Sequence, residues 1–310
     1  MAHKRYPALL LLAALLLFLC AGCGAQEDPG LSQDPPVSPS MEDNTPSVPP
    51  EGSDDAVLVP VLMYHHFTQD PSSDMEVTPE TFARHMDALA QAGYTTVQFQ
   101  ELIDFVCNGG SLPEKPVCVT IDDGYLSNYE FAWPILSERG MKATIFVIGS
   151  SIGHTEFYKD TEFRMTPHFG WDEAREMQDS GVMDIQCHTY DFHQWPPFET
   201  GDMVHRNILR LEGEDEETYR ADVIQDLTYY NELRIQEMGT GFSVLAYPEG
   251  AYDDVTEEIV HALGFQVTLS TRTDKPNIVV RNQPESLYAL CRWTVNNDVS
   301  PEQLLEIIQS

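Results

Sequence analysis

Apolar runs and amphipathic stretches alternate along the chain from about residue 57 to its end. Runs rich in Val, Ile and Thr predict strands at 57–64, 95–99, 117–121, 143–148, 182–187, 242–247, 267–270 and within 287–295. Helical spacing with capping residues or a closing glycine predicts helices at 78–92, 101–107, 128–139, 171–180, 216–238, 255–263 and from 300 onwards. This alternation is typical of an α/β domain with a mainly parallel sheet.

Polar residues follow several of these predicted strands. The 117–121 run stops at Asp122 and Asp123, the first strand ends at His65 and His66, and His188 follows the 182–187 run. In a closed parallel barrel the carboxyl ends of the strands converge on one face, where the chemistry gathers. Burying two carboxylates at the end of a strand costs free energy unless a cation lies opposite them, and a bound metal is the leading candidate for that cation.

His188 and His193 are the candidate partners of the acid pair. Their spacing of five residues would separate them by about 140° on a helix of 3.6 residues per turn, and would place them on opposite sides of a strand. They can meet only if the chain turns after His188. Two histidines and one carboxylate leave open positions, as in a catalytic Zn²⁺ site, and the set also suits other divalent metals.

The charge of the chain narrows the class of substrate. Its 310 residues carry 17 Lys and Arg against 50 Asp and Glu, a formal net charge of −33. Nucleic acid is excluded as a partner, because nothing offsets phosphate repulsion. A strongly anionic polymer is disfavoured, whereas a neutral polar substrate is acceptable.

The first 56 residues differ from the rest of the chain. Residues 1–23 combine basic residues, an apolar run and small residues before Cys23, which predicts a secretory signal. The cysteine resembles the lipid-bearing residue of a bacterial lipoprotein, although Cys20 departs from the usual Leu; an ordinary cleaved signal or a short anchor stays open. Residues 24–56 predict a disordered acidic Pro/Ser-rich linker. The expected location is therefore extracytoplasmic, anchored to the membrane through Cys23 or secreted.

Four cysteines remain in the predicted domain, at positions 107, 118, 187 and 291. No C-x-x-C spacing is present, which argues against a thiolate zinc site. Whether these cysteines are free or form a disulfide stays open at this stage.

Several motifs together resemble one family. Thr120–Tyr125 is similar to the first motif of the polysaccharide deacetylases, the NodB-homology domain of carbohydrate esterase family 4, and His188 to His193 to their second motif. Val61–His66, Tyr247–Asp253 and Arg292–Val295 resemble the opening strand, third and last motifs of the poly-N-acetylglucosamine deacetylase branch. The resemblance covers about 57–310, which would be one catalytic domain.

The resemblance implies a distorted (β/α) barrel and a metal-dependent hydrolysis that releases acetate. Asp123, His188 and His193 would bind a divalent metal; Zn²⁺ is favoured, and Co²⁺, Mn²⁺ and Ni²⁺ stay open. Asp122 would be the general base and His65 the acid, with His66 as the alternative. The backbone N–H of Tyr125 would contribute to an oxyanion hole. Thr189 either hydrogen-bonds near the site or ends the strand.

Two departures from the family pattern leave a gap in this assignment. The third motif lacks the Arg that orients the base, and residues 290–297 lack the usual late His. Arg292 is the candidate to orient Asp122. The leading hypothesis is a membrane-tethered N-deacetylase acting on an N-acetylglucosamine polymer. The alternatives are a non-catalytic glycan-binding lipoprotein and an O-acetyl esterase.

Overall fold

The computed structural model of the chain describes residues 55–195, 199, 204–273 and 275–309. The predicted signal (1–23) and nearly all of the predicted linker (24–56) lie outside these residues. Within the described ranges, no helix combines the length and apolarity needed to cross a bilayer.

Strands form the framework of the described part of the chain. In chain order they are β1 (Ala56–Leu58), β2 (Val61–Tyr64), β3 (His66–Phe67), β4 (Glu76–Val77), β5 (Thr95–Thr96), β6 (Pro116–Asp123), β7 (Ala143–Val147), β8 (Met183–Cys187), β9 (Val244–Ala246), β10 (Val267–Leu269), β11 (Ile278–Val280) and β12 (Trp293–Thr294).

Helices connect most of the strands. They are α1 (Pro79–Gln91), α2 (Phe99–Cys107), α3 (Trp133–Arg139), α4 (Trp171–Asp179), α5 (Glu216–Met238), α6 (Asp254–Ala262) and α7 (Pro301–Ile307). A π-helical turn, Asn128–Ala132, precedes α3, and single 3₁₀ turns lie at Gly149–Ser151, Pro248–Gly250 and Pro284–Leu287.

The main sheet is parallel and has the order β10-β9-β8-β7-β6-β2-β12, with β5 paired to the start of β6. Its two edges are joined by the segment 289–295, which we call the closing segment. Leu290 in this segment pairs with Leu269 of β10, while β12 pairs with β2. The sheet therefore curls into the predicted distorted (β/α) barrel, and its strands end on one face.

Buried side chains hold the barrel on both of its surfaces. All eight residues of β6 are buried, as expected for a strand covered on both sides. On the outside, Val223, Leu227 and Tyr230 of α5 pack in one cluster with Cys187 of β8 and Leu245 of β9. These contacts fix α5 against the strands whose ends carry the polar residues.

Several predicted element boundaries were wrong. The run 57–64 is two strands, because Pro60 has no N–H to donate; β1 leaves the main sheet and pairs antiparallel with β11, which was not predicted. The run predicted as a strand to Phe99 stops at Thr96, and α2 begins at Phe99. No disulfide joins the four cysteines of the described residues.

Candidate active site

Asp122 and Asp123 end β6 and are 2% and 9% exposed. Consecutive residues of a regular strand point to opposite faces. Asp123 instead has a left-handed backbone, with φ of +73°, and both carboxylates turn toward one imidazole. His188 Nε2 lies 4.0 Å from Asp122 Oδ2 and 3.7 Å from Asp123 Oδ1. The strained backbone thus brings two adjacent acids to the same site.

Gly124 allows this turn. Its φ is +85°, and a Cβ on it would lie 2.7 Å from Cγ1 of Val147 on the neighbouring strand β7. Both the dihedral angle and the space therefore require glycine. The Asp-Asp-Gly sequence therefore forms a specific turn at the end of the buried strand β6.

His188 and His193 come together because the chain reverses after β8. Thr189 has a φ of +64°, and His193 then returns so that its Nε2 lies 3.9 Å from Asp123 Oδ1. One ligand atom from each of Asp123, His188 and His193 lies within 4.8 Å of the others. Ligand atoms bound to one tetrahedral Zn²⁺ at about 2.0 Å would be about 3.3 Å apart, so small side-chain shifts suffice to bring them into range.

Hydrogen bonds set the tautomer of both histidines. His188 Nδ1 lies 2.7 Å from the carbonyl oxygen of Ala246, and His193 Nδ1 lies 2.8 Å from that of Arg206. A carbonyl only accepts, so Nδ1 carries the hydrogen, and the lone pair of Nε2, on the side of Asp123, is free to bind a cation. Burial lowers the pKa of His188 to about 4, which keeps the ring neutral. Asp123 Oδ1 is buried without a hydrogen-bond partner among the described residues. This donor set fits a divalent cation.

Arg292 pairs with Asp122. Its Nη1 donates to Asp122 Oδ1 at 2.7 Å, and its Nε donates to the carbonyl oxygen of Ser270 at 3.2 Å. Arg292 is fully buried. Burial by itself raises the pKa of Asp122, but the Arg292 guanidinium and nearby imidazoles outweigh it, so the pKa is lowered. The closing segment thus supplies the arginine that the third motif lacks.

The two adjacent histidines of the first strand region have different surroundings. His65 lowers the pKa of both acids. Burial raises the pKa of Asp123, but the pKa is lowered overall, and His65 makes the largest lowering contribution. Its Nδ1 is buried without a hydrogen-bond partner in the described part of the chain. His66 Nδ1 instead hydrogen-bonds Ser127 Oγ at 2.9 Å. His65 therefore interacts electrostatically with both carboxylates, whereas His66 is hydrogen-bonded to Ser127.

Tyr125 and Thr189 flank the acids and the histidines. The Tyr125 ring lies between the rings of His66 and His168, with centroid distances of 5.0 and 4.8 Å. The Asp123 charge raises the pKa of the Tyr125 phenol, and burial adds to this. Thr189 is fully buried, and its Oγ1 accepts from the backbone N–H of Phe192 at 3.2 Å. Thr189 therefore closes the turn between the two histidines.

Two residues outside the recognised motifs, Arg206 and Asn207, connect the site to Glu249 of the third motif. Glu249 accepts from Arg206 Nη2 at 2.9 Å and from Asn207 Nδ2 at 2.8 Å, and Arg206 supplies the carbonyl that orients His193. Arg206 also covers the ring of Trp195 at 4.3 Å. No spacing signals Arg206 or Asn207 in the sequence, because both lie in the irregular loop before α5.

A family model described as polysaccharide deacetylase matches residues 109–268, about half of the chain, and the chain belongs to this family. It is a hydrolytic polysaccharide deacetylase, as the motifs predicted. Among relatives, it is 29% identical to YxkH of Bacillus subtilis (strain 168) over 252 residues, which is 81% of this chain and 76% of YxkH.

Two further comparisons concern named deacetylases. The chain is 23% identical over 275 residues to the poly-beta-1,6-N-acetyl-D-glucosamine N-deacetylase of Escherichia coli (strain K12), covering 80% of this chain and only 40% of that enzyme. The structure of IcaB from Ammonifex degensii matches with a TM-score of 0.64 at 27% identity, covering 82% of this chain and 97% of IcaB. The barrel fold is confirmed by this likeness.

Proposed function

We propose that the protein is a metal-dependent N-deacetylase acting on N-acetylglucosamine residues of an extracellular or cell-wall polysaccharide. The observation that carries the proposal is the arrangement around Asp123: Nε2 of His188 and Nε2 of His193 both lie within 4.0 Å of its Oδ1, which has no hydrogen-bond partner among the described residues. Beside it stands a second carboxylate held by a buried arginine. The printed substrate of the E. coli relative, poly-beta-1,6-N-acetyl-D-glucosamine, supports the choice of sugar.

Asp123, His188 and His193 would hold the metal, with Zn²⁺ favoured and Co²⁺, Mn²⁺ or Ni²⁺ accepted by the same ligand types. A bound divalent ion lowers the pKa of its water toward about 7 and polarises a carbonyl group. The His188 Nδ1 contact to Ala246 and the His193 contact to Arg206 keep both rings in the ligating tautomer.

Asp122 is the proposed general base. Arg292 keeps its carboxylate ionised and aims it, so it can take a proton from the attacking water. The water oxygen bonds to the acetamide carbon, and the backbone N–H of Tyr125 stabilises the developing oxyanion, a type of donor worth about 3 kcal/mol. His65 then protonates the sugar nitrogen as the carbon–nitrogen bond breaks. Acetate and a glucosamine unit leave, and Thr189 maintains the turn throughout.

The proposed setting of the enzyme is outside the cytoplasm. The 1–23 signal pattern would place a lipid on Cys23, and the 24–56 segment would tether the catalytic domain (57–310) away from the membrane. We expect Cys23→Ala to release the protein from the membrane fraction into the medium. An unchanged membrane share in that variant would contradict the lipid anchor.

Acetate release from N-acetylglucosamine oligomers tests the proposed reaction. We expect Zn²⁺-loaded protein to release acetate, and both chelation and Asp122→Asn to reduce the rate at least about 100-fold. A parallel assay with an O-acetylated sugar separates amide from ester hydrolysis. His65→Ala should slow the amide reaction more than the ester reaction, because the amine is the poorer leaving group. Turnover of the ester alone would instead support an O-acetyl esterase.

A further inference from the structure

Groups outside the turn between His188 and His193 hold its backbone, in addition to the contact that Thr189 makes within it. Only four residues separate the two histidines, and the backbone at Thr189 is left-handed. On one side, the N–H groups of Gly149 and Ser150 donate to the carbonyl oxygens of Thr189 and Tyr190 at 3.0 and 2.8 Å. These bonds fix the carbonyl groups of the turn and leave its N–H groups to be satisfied elsewhere.

Asp226 satisfies two of those N–H groups. Its Oδ2 accepts from the backbone N–H of Tyr190, and its Oδ1 accepts from that of Asp191, both at 2.8 Å. A carboxylate that receives two such bonds makes charge-assisted contacts, which are about twice as strong as neutral ones. Both oxygens are directed at the middle of the turn that joins the two histidines.

The helix that carries Asp226 is itself fixed. Val223, Leu227 and Tyr230 are buried on the same side of α5, and the Tyr230 hydroxyl donates to the carbonyl oxygen of Val147 at 3.0 Å. Val147 ends strand β7, beside the strand that ends at Cys187. The carboxylate is therefore tied to the same strands that place His188.

A lysine holds the side chain of the same turn. Lys159 Nζ donates to both carboxylate oxygens of Asp191 at 2.7 and 2.8 Å. Asp191 is thus held by its backbone through Asp226 and by its side chain through Lys159. The turn is fixed by charged groups from two separate parts of the chain.

We propose that Asp226 is a positioning residue that sets the separation of His188 and His193 and thereby the metal affinity of the site. The inference rests on the proposed function, since it takes these histidines to be metal ligands. Loss of the carboxylate would leave the N–H groups of Tyr190 and Asp191 without their acceptor and free the turn to relax. Loss of groups that orient metal ligands typically weakens binding 10- to 100-fold.

The test measures Zn²⁺ affinity of the metal-free full chain by competition with a chromophoric chelator, together with the absorption bands of the Co²⁺ form. Burial raises the pKa of Asp226 to about 7, against the effect of its two N–H donors, so the titration is run at about pH 8. The variants are Asp226→Ala, Asp226→Asn and, as a matched control, Asp222→Ala, which removes an exposed carboxylate one turn earlier on α5.

We expect Asp226→Ala to weaken Zn²⁺ binding about 10- to 100-fold and to shift the Co²⁺ bands. Asp226→Asn keeps one acceptor oxygen and should fall between the wild type and the alanine variant, while Asp222→Ala should match the wild type. Wild-type affinity and Co²⁺ bands in both Asp226 variants would overturn the inference. A wild-type chain that binds neither metal would overturn the proposed metal site itself, and the inference with it.

Discussion

Replacement of Arg292 by Met is the sharpest test of how the proposed base is held. Met has a similar length and no charge, so the change leaves the Asp122 carboxylate buried without its cation. Arg292 is fully buried and Asp122 is 2% exposed. The side chain also loses its donor bond to the Ser270 carbonyl oxygen.

The structure sets the size of the expected effect. Breaking a buried ion pair by removing one partner costs about 3–5 kcal/mol, because the remaining charge is uncompensated. The 2.7 Å contact and the near-complete burial of both groups place this pair in that range. Removal of both charges leaves no charge unpaired, so Asp122→Asn combined with Arg292→Met should cost at least about 1.5 kcal/mol less than the sum of the single changes.

Urea unfolding of the metal-free chain measures these free energies. Arg139→Met is a matched control, because Arg139 pairs with Asp87 at 2.8 Å on a partly exposed surface, where the side chains are 23% and 49% exposed. That pair should be worth at most about 1 kcal/mol. If Arg292→Met costs no more than the Arg139 change, or if the double variant shows simple additivity, the ion-pair argument is refuted.

Two further predictions concern the turn after β6 and the loop before α5. Gly124→Ala should lower the free energy of unfolding by about 2–4 kcal/mol, because its Cβ would lie 2.7 Å from a β7 side chain. The control is Gly93→Ala, since Gly93 has a similar φ of +83° but no atom within 4 Å of the added Cβ. This change should lower the free energy of unfolding by only about 1 kcal/mol. Equal costs in urea unfolding would mean that the close contact is unimportant. Glu249→Ala removes the acceptor of Arg206, whose carbonyl oxygen orients His193, a proposed metal ligand. Acetate release should therefore fall about 10-fold. Its control is Glu237→Ala, which breaks a part-buried contact to Arg175 of α4. Equal rates in both variants would rule out a role for Glu249.

The sequence predicted the barrel and the composition of the site because both follow from local patterns. The buried run of β6 and the acids at its end are contiguous, and the parallel topology brings the other strand ends to the same face. The left-handed backbone at Asp123 carries no such signal, since most aspartates do not adopt it. The proposed role of Asp226 has no sequence signal either. Asp226 lies at an ordinary position of α5 and accepts a hydrogen bond from a turn residue 35 positions earlier in the chain.

The sequence alone also does not identify the residue that pairs with Asp122. Arg292 was only a candidate in the sequence, because 170 residues separate it from the acid. Its assignment depends on the closing segment lying between β10 and β2, which is a property of the whole barrel. The sequence likewise does not separate His65 from His66, whose different surroundings depend on the contact of His66 with Ser127, 61 residues further along the chain.

The closing segment has a consequence for how the enzyme fails on heating. It is held to the end of β10 by the Leu290–Leu269 bridge, in which Leu290 hydrogen-bonds the backbones of Thr268 and Ser270, and to β2 through the two residues of β12. Arg292 lies between these two attachments. Local opening of so short an attachment would withdraw the guanidinium while the long central strands stay paired. Thermal inactivation should therefore begin below the temperature of global unfolding and reverse on cooling, so that catalytic rate reports on whether the barrel is closed.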